Sequence, residues 1–380
     1  MIPIIKPWLG EAEADAAAAA VRSGWVAQGP RVAAFEAQFC AQTGAAHAIA
    51  VSSCTTALHL ALIGAGVRAG DAVIVPSLSF IATTNAVAYV GAAPVFADVD
   101  PGAPNVTVRT LEAALTPACT AVIIAHQVGM PAELAAIAAW CADHNLTLIE
   151  DAACAIGSTL DGRLIGAHSP FVAFSFHPRK VLTTGEGGML TVRDPVVADR
   201  LRKLRQHAMS VSAVARHEAT GVVLPTFQEV GYNYRMTDIQ AAIGLVQLGK
   251  LDAIIARRRA LAASYQAALA DLAKAGALLL PVDPPWGRSN YQTFVIRLES
   301  GGQSRRDAVL AALIDDGIGA GPGIMAAHMQ PAWSALARGP LPQTERWAAS
   351  SIALPLYHTM TQQDQADVIT ALRAALVATP

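Results

Sequence analysis

Seven short apolar runs recur between residues 46 and 192: 47–51 (HAIAV), 71–76 (DAVIVP), 94–98 (PVFAD), 121–126 (AVIIAH), 146–150 (LTLIE), 171–176 (FVAFSF) and 188–192 (GMLTV). Each has the length of a strand, and most are rich in β-branched residues. Between most of them lie longer stretches with helical patterning, at 54–65, 80–90, 109–116 and 132–144, and another follows at 195–206. That alternation predicts a seven-stranded, mostly parallel sheet covered on both faces by helices. An arm of two helices, about 11–23 and 31–43, precedes it within residues 1–45. A less regular region, 207–235, follows it. Thr237 and Gln240 then fit a capping box, which starts a long helix near Asp238. The pattern carries that helix to about Ala270, with the RRR at 257–259 on a solvated face. A strand at 291–298 and helices at 304–316 and 362–377 complete a smaller α+β domain. The pattern therefore divides the chain into a large α/β domain, 1–240, and a C-terminal domain, 241–380.

Composition narrows the class. At 380 residues the chain exceeds one ordinary domain, and 53% hydrophobic residues imply a large core and a subunit interface. The formal net charge of -2 offers no polyanion-binding surface, so nucleic acid is not an expected partner. Five cysteines, with neither CxxC nor metal-type spacing, read as reduced and cytoplasmic. No apolar run is long enough to cross a membrane, and the N-terminus lacks the apolar core of a signal peptide.

In a parallel sheet, ligands bind beyond the carboxyl ends of the strands, so the residues there carry the candidate chemistry. Asp151 follows the fifth run. It can cap a helix, or face the protonated nitrogen of a pyridine ring. Ser52 to Thr56 follow the first run and open a helix. They can be plain caps, or a phosphate cradle of N–H groups and hydroxyls. Phe80, after the second run, can pack in the core or lie on a flat ring. His126, Gln127 and Cys154 stand at two further strand ends. Lys180 lies between two buried strands, just before the glycine-rich turn 185–188. It is either a solvated side chain or a Schiff-base nucleophile. Anion cradle, aromatic, carboxylate and lysine together match the needs of pyridoxal 5'-phosphate (PLP).

At these residues the chain resembles the DegT/DnrJ/EryC1/StrS sugar aminotransferases. The resemblance is carried by SGWVAQGPRVAAFE, AVSSCTTALHLAL, VIVPSLSFIATTNAV, PVFADVDP, IEDAACAIGS, FSFHPRKVLTTGEGGML, VGYNYRMTDIQAAIG and ALPLYHTM, almost end to end. It implies a fold-type-I PLP transferase of the aspartate aminotransferase-like superfamily. Lys180 would form the Schiff base, Asp151 would contact the ring nitrogen and Phe80 would stack on the ring. Cys54, Thr55 and Ser175 would hold the phosphate, and Cys154 would lie at the cofactor. Asn233 would reach the site from a partner subunit, which implies a homodimer with shared active sites. The implied reaction moves an amino group from L-glutamate to a nucleotide-linked keto-sugar, with pyridoxamine 5'-phosphate as the intermediate cofactor form. The product would be an amino sugar for a polysaccharide, glycan or secondary metabolite.

Three positions depart from the family pattern: Cys154 where His or Gln is common, Cys54 where Gly is common, and Gly321–Pro322 where a basic pair is common. A related branch dehydrates sugars, but there the lysine is replaced by histidine. Other relatives are non-catalytic regulators, a role against which Lys180 and Asp151 argue. The identity of the sugar depends on the loops around 207–230 and 317–330.

Overall fold

The computed structural model describes residues 1–211, 221–222 and 224–379. All seven apolar runs are strands of one sheet: β1 (His47–Val51), β2 (Ala72–Pro76), β3 (Ala93–Ala97), β4 (Cys119–Ala125), β5 (Thr147–Asp151), and, beyond a small hairpin of β6 (Thr159–Leu160) and β7 (Arg163–Leu164), β8 (Phe171–Ser175) and β9 (Gly188–Val192). The strand order is β1-β9-β8-β5-β4-β2-β3. Neighbours from β3 through β8 are parallel, whereas β9 runs antiparallel to both β8 and β1. The sheet is therefore mostly parallel, as its continuous apolar strands require. Because β9 is reversed, its first residue, Gly188, lies at the same sheet edge as the carboxyl ends of the others.

Helices α1 (Glu11–Arg22), α2 (Pro30–Thr43), α3 (Cys54–Gly64), α4 (Ile81–Tyr89), α5 (Val108–Ala114), α6 (Leu134–Asp143) and α7 (Pro195–Leu204) flank this sheet. One buried cluster on it joins Phe35 and Phe39 of α2 to Phe174 and Phe176, with Phe39 and Phe174 rings 5.0 Å apart. This aromatic packing fixes the strand that leads into the Lys180 loop.

The capping box appears as the sequence predicts: Thr237 N–H donates to Gln240 Oε1 (2.9 Å), and Gln240 N–H to Thr237 Oγ1 (3.2 Å). The helix behind it does not run straight to residue 270. It ends as α8 (Asp238–Gly249) and resumes as α9 (Leu251–Ala268), bent by 57°. Gly249 weakens the helix locally. Lys250 is held at the bend by an ion pair with buried Glu13 (2.5 Å) and by the face of Trp8. Nor are the three arginines of α9 on a solvated face. Arg258 is buried and donates to the carbonyls of Tyr291 and Gln292, Arg259 to those of Ser289 and Gly157, and Arg257 to that of Met360. They staple the helix to segments that lie far along the chain.

The C-terminal part continues with α10 (Ala270–Lys274), α11 (Gly302–Asp315), α12 (Pro342–Ser350) and α13 (Gln362–Ala378). Its four-stranded sheet orders β10 (Leu278–Leu279), β12 (Phe294–Leu298), β14 (Ser351–Leu354) and β13 (Gly321–Pro322), while β11 (Gly287–Arg288) pairs with β6. Leu251, Ile254 and Ile255 belong to the large sheet's core, and Leu261 and Tyr265 to that of the small sheet, so the two cores meet along α9.

The N-terminal arm is tied to late segments. Asp238, fully buried, accepts hydrogen bonds from the N–H groups of Gly29, Arg31 and Val32 at the start of α2. Ile2 bridges to Ile318, and Ile4 O accepts from Leu356 N–H. Among the described residues no single helix is long and apolar enough to cross a membrane.

Burial holds the pKa of His59, His168 and His358 below the ordinary histidine value. For His358 the cations Arg257, Arg258 and Lys250 add to the effect, and for His168 Glu150 opposes it. The unfolded chain thus takes up protons near pH 6.5, before the folded one does, so stability must fall as pH drops below that value. Thermal melting is expected to show a lower Tm at pH 5.5 than at 7.5. A Tm that rises on acidification would refute the assignment.

Candidate active site

The strand ends converge on a cleft of about 580 Å³. Phe80, Gln127, Val128 and Cys154 line one part of it, and Arg306, Pro322, Ile324 and Met325 another. Phe80 precedes α4 and is 69% exposed, so the side chain is free to cover a ligand and is not core. Lys180, half-buried as a residue, joins the cleft through Cys154: its Nζ donates to Cys154 Sγ at 3.2 Å. Burial pulls the Lys180 ammonium pKa down. The Cys154 sulfur, then Asp151 and Cys54, outweigh it and hold the group above the usual lysine value.

Asp151 ends β5 and is buried. Its Oδ2 accepts from Thr83 Oγ1 (2.8 Å) and its Oδ1 from Ala153 N–H (3.1 Å), so it caps a turn and not a helix. Thr83 escaped the sequence reading. Its signal is the spacing Phe80-x-x-Thr83, which puts both on one face of the α4 N-terminus. The Cys54 thiol lies 4.0 Å from Asp151 Oδ1. Burial, with Asp151 beside it, pushes that thiol pKa well up, which keeps Cys54 neutral.

The start of α3 is built to receive an anion. Ser53 Oγ accepts from Thr56 N–H, while the N–H groups of Cys54 and Thr55 have no acceptor among the described residues. Gly188 closes against it: a Cβ there would stand 2.4 Å from Ser53 C and 2.6 Å from Cys54 N. Ser175 is the cross-strand partner of Gly188, so its hydroxyl reaches the same corner. An open helix N-terminus, a hydroxyl and space that only glycine leaves suit a phosphate. An exposed aromatic, a carboxylate and a lysine beside it suit a pyridine-ring aldehyde. The residues present fit PLP.

Other candidates part ways. Gln127 lines the cleft, but His126 turns away, its Nε2 2.8 Å from buried Glu150. His177 and Arg179 engage each other locally, His177 Nδ1 accepting from Arg179 N–H. Asn290 supports the site from the C-terminal part: its Nδ2 donates to the carbonyls of Cys154 and Ile156, and Gly129 (φ +95) leaves room for it. Asn233 is exposed and bridges to Gln206. It does not line this cleft, and Tyr234 beside it accepts from Ser52 N–H at the end of β1. Of the loop 207–230, residues 212–220 and 223 lie outside the described residues.

Solved structures share this architecture across nearly the whole chain. The aminotransferase TlmJ from Streptoalloteichus hindustanus is 36% identical, with a TM-score of 0.91 over 100% of this chain and 99% of that one. DesV from S. venezuelae, solved in complex with a ketimine intermediate, is 34% identical, with a TM-score of 0.90 over 99% and 98%. A DegT DnrJ EryC1 StrS aminotransferase from Brucella abortus is 32% identical, with a TM-score of 0.84 over 96% and 95%. Residues 7–373 match the sequence family itself, and the chain belongs to the DegT/DnrJ/EryC1/StrS aminotransferase family.

Proposed function

We propose that this chain is a cytoplasmic, PLP-dependent aminotransferase that moves an amino group from L-glutamate to a nucleotide-linked keto-sugar. The observation that carries the reading is the convergence of Lys180 and Asp151 beside the open N-terminus of α3. When bound, PLP supplies an aldehyde that captures amines and a ring that takes up an electron pair, and its amine form carries nitrogen between the two half-reactions. Cys54 and Thr55 hold the phosphate through their N–H groups, with Ser175 from β8. Phe80 covers the ring face, and Asp151, steadied by Thr83, faces the ring nitrogen. Lys180 Nζ accepts the Cα proton of the amino donor. In the return half-reaction it delivers a proton to the carbon that gains nitrogen. Cys154 orients Lys180 Nζ, and Asn233 completes the site of a partner subunit in a homodimer.

The test is a glutamate-dependent assay of the purified protein against a panel of nucleotide-linked keto-sugars, read by mass. An amino-sugar product together with 2-oxoglutarate is the expected result. No product from any acceptor, with bound PLP present, would refute the reading.

A further inference from the structure

The cleft extends well beyond the cofactor residues, to the first turns of α11, where Gln303 and Arg306 both line it. Three residues apart, they share one helix face. Arg306 is only 7% exposed. Its Nε donates to Asp307 Oδ1 (2.5 Å) and its Nη1 to Ala348 O (2.9 Å), while its Nη2 has no partner among the described residues. The adjacent Arg305 differs: its Nε, Nη1 and Nη2 bond Thr379 O, Ser300 Oγ and Leu376 O. The start of α11 has no side-chain cap and no acidic residue in its first turn, so its N-terminal dipole is unopposed from within the helix. Elsewhere the wall is apolar at Pro322, Ile324 and Met325. Arg306 is the only cation among the described residues that line the cleft. Glu345 lines it too, but its Oε1 already accepts from Leu341 N–H and stands 3.3 Å from His328 Nε2.

A nearly buried guanidinium with one arm unpaired among the described residues, at an uncapped helix start, and the one cation among the described residues that itself lines the cleft, is arranged to meet an anion. We propose that Arg306, with Gln303 and the N-terminus of α11, is the oxyanion anchor of this cleft for a substrate. This rests on the proposed transamination, which offers two oxyanions: the phosphates of the nucleotide-linked acceptor and the distal carboxylate of the donor. Arg306 would then determine specificity.

The experiment titrates the PLP-loaded enzyme by calorimetry with uridine diphosphate, thymidine diphosphate and glutarate. Wild type is compared with Arg306→Gln and Gln303→Glu. The second variant places an acid in the first turn of α11, which favours the helix while repelling an anion, so its Tm is not expected to fall. Both variants are expected to lose about tenfold or more in affinity for the probe the site takes, the worth of one charge-assisted hydrogen bond. Loss confined to the nucleoside diphosphates assigns the anchor to the acceptor, and loss confined to glutarate assigns it to the donor. If Arg306→Gln fails to fold, Gln303→Glu decides alone. Unchanged affinity for every probe in the folded variants, or a wild type that binds none of them, overturns the proposal. Should wild type bind a probe through these residues yet transfer no amino group, the transamination reading fails and the anchor stands.

Discussion

Replacing Lys180 by alanine is expected to abolish transamination while leaving the fold and cofactor binding in place. The reason is local. Among the described residues the amine's only hydrogen bond is to Cys154 Sγ, so no structural network there depends on it. The proposed phosphate corner at Cys54, Thr55, Ser175 and Gly188 lies on other elements and survives the change. What disappears is the proposed proton carrier. A positioned acid–base group alone is worth roughly 10²–10⁴-fold in rate, and the loss should be at least that large. Borohydride treatment should leave a pyridoxyl group on the peptide containing Lys180 in wild type and on no peptide in the variant. Wild-type turnover by Lys180→Ala, or labelling of a different peptide, would sink the assignment. Mixing Lys180→Ala with Asn233→Ala subunits should restore part of the activity, because one hybrid site then holds both intact residues. No recovery in mixed dimers would remove Asn233 from the partner's site.

The second large effect is expected from Asp151→Asn. Asparagine is nearly isosteric and keeps one oxygen to accept from Thr83 Oγ1. The other oxygen becomes an amide donor facing the Ala153 N–H, at a cost of about 1 kcal/mol in stability. The negative charge proposed to face the ring nitrogen is lost altogether. Removing one preorganised electrostatic partner of this kind costs roughly 10²–10³-fold in kcat. Steady-state kinetics alongside a thermal melt separate the two effects. A variant that melts like wild type and turns over at the wild-type rate would show that Asp151 has no part in the chemistry.

The large sheet is legible in the sequence because each of its strands is a short, continuous apolar run between turn residues, and burial on both faces demands that pattern. Lys180 is legible for a related reason: a lone lysine between two such runs breaks it. Other features hide because their causes are distant. The bend at Gly249–Lys250 depends on Glu13, more than two hundred residues away. The arginines at 257–259 look solvated until residues 289–292 and Met360 bring carbonyls to meet them. Arg306 has no motif around it, and only the assembled cleft shows that one of its arms is unpaired among the described residues. Thr83 could have been read from its spacing to Phe80, but only the structure reveals the carboxylate it serves.

The ties of the N-terminal arm bear on how the chain is made. The start of α2 is completed by Asp238, and Ile2 and Ile4 wait for residues 318 and 356. At a synthesis rate of roughly 5–20 residues per second, Val32 waits about 10–40 s before Asp238 leaves the ribosome. Throughout that interval the apolar face of α2, with Phe35 and Phe39, has the first sheet strands to pack on but no cap at its N-terminus. A chain arrested before residue 238 would hold every strand of the large sheet and Lys180, yet leave that helix start unsatisfied. Such fragments should be prone to clump and in need of chaperone protection.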